Sequence, residues 1–236
     1  MQIAIISDIH ANLTALEAVL SHCFTKYNLN IPIIHLGDCI DYGMRPNEVI
    51  KILSNIKSQM IANIVGNHEI ALYGLKTNYF SSERGYNANR YTKSILTKNS
   101  YDFIDNMQES GYKFELDGKK FLAIHGDLSD PHWGSMNNEE KKSVAYSQYD
   151  YVVSGHTHIS SLAYSINKKE YKKTIFINPG SVGQPRNLNI AAQYAVLDTK
   201  SDSICFEAIH YDYKIEQALY TDKVDLYYKN RLAKGI

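Results

Sequence analysis

The chain has 236 residues, 44% of them hydrophobic, enough for one large buried core, and residues 1–236 are read as a single domain. Lys plus Arg and Asp plus Glu balance at 25 each, so no net field draws in a polyanion and no long nucleic acid is expected as a partner. Three cysteines, Cys23, Cys39 and Cys205, are odd in number and widely spaced, which argues against a disulfide framework and suits a reducing compartment. With no basic leader before Asp8 and no apolar run near the ~18 residues of a membrane span, a cytoplasmic protein without a membrane partner is expected.

In chain order, the apolar run Ile3 to Ile6 ends in Ser7-Asp8-Ile9-His10, and the form repeats. After His10, Leu13, Leu16, Leu20, Cys23 and Phe24 recur at helical spacing behind Asn12 as N-cap. A strand over 31–36 leads to Asp38 and Asp41; Pro46 then opens a helix with Val49, Ile52, Leu53 and Ile56 on one face. The next strand, about 60–65, runs through Gly66-Asn67-His68-Glu69 into a short helix ending near Gly74. This β-α-β-α-β order belongs to a layered α/β sheet.

Residues 77–110 hold no ligand cluster and read as one or two helices forming a cap. Asp117-Gly118 predicts a hairpin turn between 112–116 and 119–124, which delivers His125. A loop over 126–137 contains His132 and Trp133, and a strand over 151–154 delivers His156 and His158. Alternating segments near 160–166, 172–177, 191–198 and 203–209 then suggest a second, largely antiparallel sheet, with Asn178 to Gly183 a rigid turn among them. Residues 213–233 read as helical and close a flank.

Buried strands of an open α/β sheet end along one edge, where ligands collect. Asp8, His10, Asp38, Asn67, His125, His156 and His158 therefore form the candidate metal set: two carboxylates, one amide and four imidazoles. That is too many for one tetrahedral zinc and suits two divalent ions sharing a carboxylate. Two carboxylates bring about −2 against about +4 from the ions, an excess that favours a hydroxide and a phosphoryl group. His35 lies inside a strand and reads as a core histidine; His22 and His210 have no ligand neighbours.

Asp8-Ile9-His10, Gly37-Asp38, Gly66-Asn67-His68-Glu69, His125 and Gly155-His156-Thr157-His158, in that order, resemble the calcineurin-like metallophosphoesterases over most of the chain. Ser7-Asp8-Ile9-His10-Ala11-Asn12, Pro46-Asn47-Glu48-Val49 and Asn178 through Arg186 are similar to a compact prokaryotic branch, related to symmetrical diadenosine tetraphosphate hydrolases and small phosphodiesterases. The resemblance implies a four-layer α/β/β/α sandwich of two facing mixed sheets. It also implies that Asp8, His10, Asp38 and His158 hold one metal and Asp38, Asn67, His125 and His156 the other, Asp38 bridging. His68 is then the general acid, and Asp41 the carboxylate that orients it. The expected cofactors are two divalent transition-metal ions, manganese first, with iron, zinc, nickel or cobalt also suited to these donors.

The implied reaction is direct attack on phosphorus by a hydroxide between the metals. The related protein phosphatases carry Arg where this chain has Tyr42 and Val65, so a phosphodiester or nucleotide polyphosphate is preferred to a phosphoprotein as the small phosphorylated substrate. The alternatives are a phosphomonoesterase or protein phosphatase on the same site and a non-catalytic scaffold; the retained ligands and His68 weigh against the scaffold. Three residues are candidates for substrate contact. Arg186 is either a replacement clamp or a surface residue, Trp133 either a stacking ring or a loop anchor, and Asn12 lies within the first motif.

Overall fold

The computed structural model describes residues 1–75, 79–138, 140–167 and 171–236. Two five-stranded mixed sheets face each other. The first contains β1 (Gln2–Ile6), β2 (Ile33–His35) and β3 (Met60–Asn63), all parallel. The second contains β4 (Tyr112–Leu116), β5 (Lys119–Ile124), β6 (Tyr151–Ser154), β7 (Ser161–Asn167) and β8 (Lys172–Asn178), in the order β4-β5-β6-β8-β7. Its three inner strands are parallel and its two edges antiparallel. Asp117 and Gly118 both adopt positive φ, 52° and 69°, as a two-residue hairpin turn requires.

The last four strands do not all share the second sheet, contrary to the expectation from their alternation: β7 and β8 lie in it, and the two that follow do not. β9 (Ala192–Asp198) pairs antiparallel with β1, and β10 (Ser203–Ile209) pairs with β9, giving the order β10-β9-β1-β2-β3. Burial explains the placement. Nearly all of β9 is buried, so it needs neighbours on both edges and cover on both faces, whereas β10 and β7 alternate and sit at sheet edges.

Between the sheets lies an apolar layer that includes Ile3, Ile5, Ile34, Leu36 and Leu197 from one side and Phe121, Tyr151, Val153 and Ile177 from the other. The outer face of the first sheet is covered by α1 (Leu13–Lys26) and α2 (Pro46–Asn55), which bury Leu16, Val19, Val49 and Leu53 against Ala4 and Ile6. The Asn12 side chain accepts from Ala15 N–H at 3.1 Å to cap α1, and Pro46 opens α2. Over the second sheet the covering layer is a turn-rich segment with a 3₁₀ turn at Val144–Tyr146, packing Tyr146 and Tyr149 onto Leu122 and Phe176.

The segment expected to form a helical cap divides. After the short α3 (Asn67–Leu72), α4 (Glu83–Ile95) packs on α3, where Lys93 donates to Leu72 O at 2.7 Å, and buries Ala88 in a cluster with Tyr42, while α5 (Lys98–Asp105) turns back to bury Phe103 and Ile104 in the α1–α2 core. Residues 77 and 78 of that expectation lie outside the described residues. The C-terminal stretch forms two short helices, α6 (Tyr213–Leu219) and α7 (Leu226–Arg231). Glu216, 2% exposed, pins α6 by accepting from Thr14 N–H and Thr14 O–H, each at 2.8 Å, and from the Arg45 guanidinium. Among the described residues no helix is long and apolar enough to cross a membrane.

Candidate metal centre

Each ligand-type residue picked out at a strand end projects into one crevice between the two sheets. The chain must reverse sharply there, and the backbone records it. Asp8, His10, Asp38, Asp41, His156 and His158 all hold positive φ, between 48° and 67°. Left-handed backbone at non-glycine residues costs about 1–3 kcal/mol each, and persists where the surroundings hold it for function. The Asn178–Gly183 turn, which links the two sheets, clamps the first of these loops. Ser181 O–H donates to Asp8 O at 2.7 Å, and Gly183 N–H does so at 3.0 Å. A Cβ on Gly183 would stand 1.8 Å from Ile9 O, so only glycine fits.

Three overlapping groups emerge, the candidate ligand atoms in each lying within 4.8 Å of one another: Asp8, His10 and His158; His10, Asp38 and His68; Asp38, His125 and His156. Asp38 Oδ2 is 3.2 Å from His125 Nε2 and 3.8 Å from His10 Nε2. Asn67 Oδ1, at the start of α3, is 2.9 Å from His156 Nδ1 and 3.1 Å from His125 Nε2.

Hydrogen-bond partners fix the tautomers. Nδ1 of His10, His125 and His158 faces the carbonyls of Ile40 (3.0 Å), Leu36 (2.6 Å) and Gln184 (2.6 Å), so each Nδ1 carries the hydrogen and Nε2 is the atom turned to the crevice. Burial, with His158 alongside, drives the His10 imidazole well below its usual value; burial, with Arg186 alongside, lowers His158. Neutral, they present opposed lone pairs: His10 Nε2 is 3.1 Å from His158 Nε2, which is 3.2 Å from Asp8 Oδ1. That Asp8 oxygen is buried and has no properly angled hydrogen-bond donor among the described residues. Lone pairs aimed at one another in a buried crevice fit a cation between them, and the donor set suits a divalent metal.

The group of Asp38, His125 and His156 behaves differently. Burial opposes charge on His125, yet the Asp38 carboxylate beside it lifts the imidazole to about 9. His156, buried and close to His125, falls to about 3. Asp38 is opposed by burial too, but His125 and His68 hold its carboxyl well below the usual range.

His68 has a carboxylate partner where His10, His125 and His158 have backbone carbonyls. Its Nδ1 is 2.6 Å from Asp41 Oδ2, which leaves Nε2 facing the crevice 3.8 Å from Asp38 Oδ2. Burial would lower this imidazole, but Asp38 and Asp41 together raise it. Two residues assigned no role from sequence hold the arrangement. Asn89 of α4 donates to Asp41 Oδ2 at 2.7 Å and to His68 O at 3.1 Å. Glu69, fully buried, accepts from the backbone N–H groups of Asp38, Cys39 and Gly66, each at 2.8 Å, and so ties the Asp38 loop to the start of α3. The Gly66-Asn67-His68-Glu69 run carried a signal for Glu69, a carboxylate following two site residues; nothing local marks Asn89.

A cavity of about 370 Å³ opens over the crevice, lined by Tyr42, His68, Phe80, Trp133, His156 and Arg186 among others. Arg186 and Trp133 therefore stand at the site. Asn12 does not. Its amide nitrogen donates to Gly183 O and Tyr211 O–H, both at 2.9 Å, its oxygen caps α1, and the residue is 2% exposed; expected as a substrate contact, it is committed to holding the loop in place. Tyr42, where the protein phosphatases carry Arg, stacks on Tyr228 of α7 with centroids 4.1 Å apart. His35 is buried with Nδ1 2.7 Å from Asn63 Oδ1, outside the metal groups.

Two mixed sheets that deliver buried Asp, Asn and His side chains to one crevice define a metal-dependent phosphoric ester hydrolase. The chain belongs to the calcineurin-like phosphoesterase superfamily, whose domain model matches residues 1–202. It is 31% identical over 221 residues to the protein MJ0912 of Methanocaldococcus jannaschii, covering 90% of this chain and 88% of that one. Among solved structures, a metallophosphoesterase from Sphaerobacter thermophilus aligns over the whole of both chains at a TM-score of 0.76 and 26% identity. The protein PH1004 of Pyrococcus horikoshii OT3 shares the fold at a TM-score of 0.85 and 16% identity, over 100% of this chain and 98% of that one.

Proposed function

We propose that the protein hydrolyses a small phosphodiester or nucleotide polyphosphate at a dinuclear centre, with manganese as the first-choice metal. Asp8, His10, Asp38 and His158 would hold one ion, and Asp38, Asn67, His125 and His156 the other. The observation that carries this reading is the position of Asp38, whose carboxylate lies between the two outer ligand groups and within 3.8 Å of histidines from both. When bound, the ions supply Lewis acidity to the phosphoryl oxygens and an acidified water as nucleophile.

The chain's own residues do the rest. His68, oriented through Nδ1 by Asp41, donates its Nε2 proton to the departing oxygen. Arg186 lines the cavity and binds an unesterified phosphoryl oxygen. With Tyr42 and Val65 in place of two arginines, there is no guanidinium pair to grip a dianionic monoester, and a singly charged diester is the better match. Residues 1–236 act as one domain in the cytoplasm, and the balanced charge suits a small substrate over a long nucleic acid or a membrane.

A manganese-reconstituted panel of phosphomonoester, phosphodiester, cyclic nucleotide, dinucleoside polyphosphate and phosphopeptide tests the substrate. Phosphopeptide turnover above diester turnover would overturn it. Metal analysis tests the centre: Asp38→Asn should lose both ions together, and two full-occupancy ions in that variant would contradict the bridge.

A further inference from the structure

The cavity has two chemically distinct flanks. On one, Phe80 meets the His68 ring edge-on, centroids 5.2 Å apart, and Trp133 meets Phe80 at 5.1 Å and His156 at 6.2 Å. Tyr79 adjoins Trp133 at 6.1 Å. On the other flank stands Arg186, whose backbone N–H donates to His158 O and whose Nε is shielded from water with no acceptor among the described residues. The Trp133 indole N–H is likewise shielded and without an acceptor among them. About 370 Å³ is small for a binding cavity, enough for a phosphoryl group and one ring-bearing substituent.

Which arm of the ester lies on which flank follows from His68. The oxygen that receives its proton belongs to the departing group, so that group lies where His68 is, against the aromatic flank. We propose that the leaving alcohol carries an aromatic ring, above all a nucleobase, held among Tyr79, Phe80 and Trp133, while the retained arm and the unesterified oxygens face Arg186. The inference rests on His68 as proton donor, and it narrows the substrate to an ester whose leaving group is a nucleoside-type alcohol. A departing phosphate would bring a second anion against three aromatic rings, and among the described residues that line the cavity the one permanent cation is Arg186, assigned to the retained arm. In the reaction, water oxygen bonds to phosphorus and the P–O bond to the ring-bearing alcohol breaks, its electron pair staying on that oxygen. His68 protonates it, and the proton released by the attacking water restores His68 through solvent.

Thymidine 5′-methyl phosphate reads the assignment directly, since both arms are primary alcohols on one phosphorus. The manganese-loaded enzyme should release thymidine and methyl phosphate; methanol and thymidine 5′-phosphate as the main products would overturn the proposal. Phe80→Ala and Trp133→Ala should each shift the product ratio toward methanol about tenfold, the order expected from loss of one stacking ring. Poor folding or metal loading lowers both products alike, so an unchanged ratio also counts against the proposal. Bis(p-nitrophenyl) phosphate separately tests the diesterase reading. Should neither diester be cleaved while p-nitrophenyl phosphate is, that reading falls, and the flank is then read on monoesters. Thymidine 5′-phosphate should exceed glycerol 3-phosphate about tenfold in kcat/KM, and equality would overturn it. Trp133 is the single tryptophan of the chain, so adenosine 5′-monophosphate should quench its emission where glycerol 3-phosphate does not; equal responses would also overturn the assignment.

Discussion

At the scale of the residue, the centre separates histidines by their neighbours. A carbonyl behind Nδ1 fixes the tautomer and leaves the charge to the surroundings: burial keeps His10 and His158 low, while Asp38 raises His125; a carboxylate behind Nδ1, as Asp41 behind His68, favours a ring that keeps its proton. His68→Asn should therefore leave metal content unchanged and lower the rate on poor alkyl leaving groups by about 10²- to 10⁴-fold, with a smaller loss on nitrophenyl esters. Equal losses on both substrates would remove His68 as the acid. The ligand-type residues were legible in the sequence because each follows an apolar run too short for anything but a buried strand. Asn89 was not, since it reaches Asp41 across 48 positions of chain and its own surroundings read as ordinary amphipathic helix.

At the scale of elements, the crevice depends on how closely two strand-end loops pass. Gly37 sits at φ +91°, and a Cβ there would lie 2.4 Å from Gly66 N and 2.7 Å from Gly66 Cα, both backbone atoms without freedom to move. Gly37→Ala should destabilise the protein by at least about 3 kcal/mol, combining left-handed strain with overpacking. It should also weaken metal uptake, because Asp38 and Asn67 are the next residues along the two loops. A wild-type melting temperature and metal content in this variant would refute the account. The same scale holds the main departure from the sequence reading. Alternation identified the later strands as strands, but an alternating pattern states only that one face is covered. It carries no information on which sheet supplies the neighbour, and β9 and β10 joined the first.

At the scale of the whole molecule, burial of His35 in the first sheet couples folding to pH. Burial lowers its imidazole from 6.5 to about 4, against support from the hydrogen bond to Asn63. Between those values the unfolded chain binds the proton and the folded one does not, so stability falls as pH drops from 6.5 toward 4, by about 3 kcal/mol from this group. His35→Asn should flatten the fall, measured by urea unfolding at a series of pH values. Parallel curves for the two proteins would show that His35 contributes nothing to it.

The order of apolar runs and the side chains at their ends determined the sheet strands, the helices between them and the identity of the donor residues, because strand burial and helical period are local properties of a sequence. Only the tertiary structure decided which sheet each late strand joined, that Asn12 is spent on holding a loop, that Glu69, Asn89 and Ser181 tie the loops together, and that an aromatic flank stands beside His68. Those depend on contacts between residues far apart in the chain, whose distances are set when the two sheets close on each other.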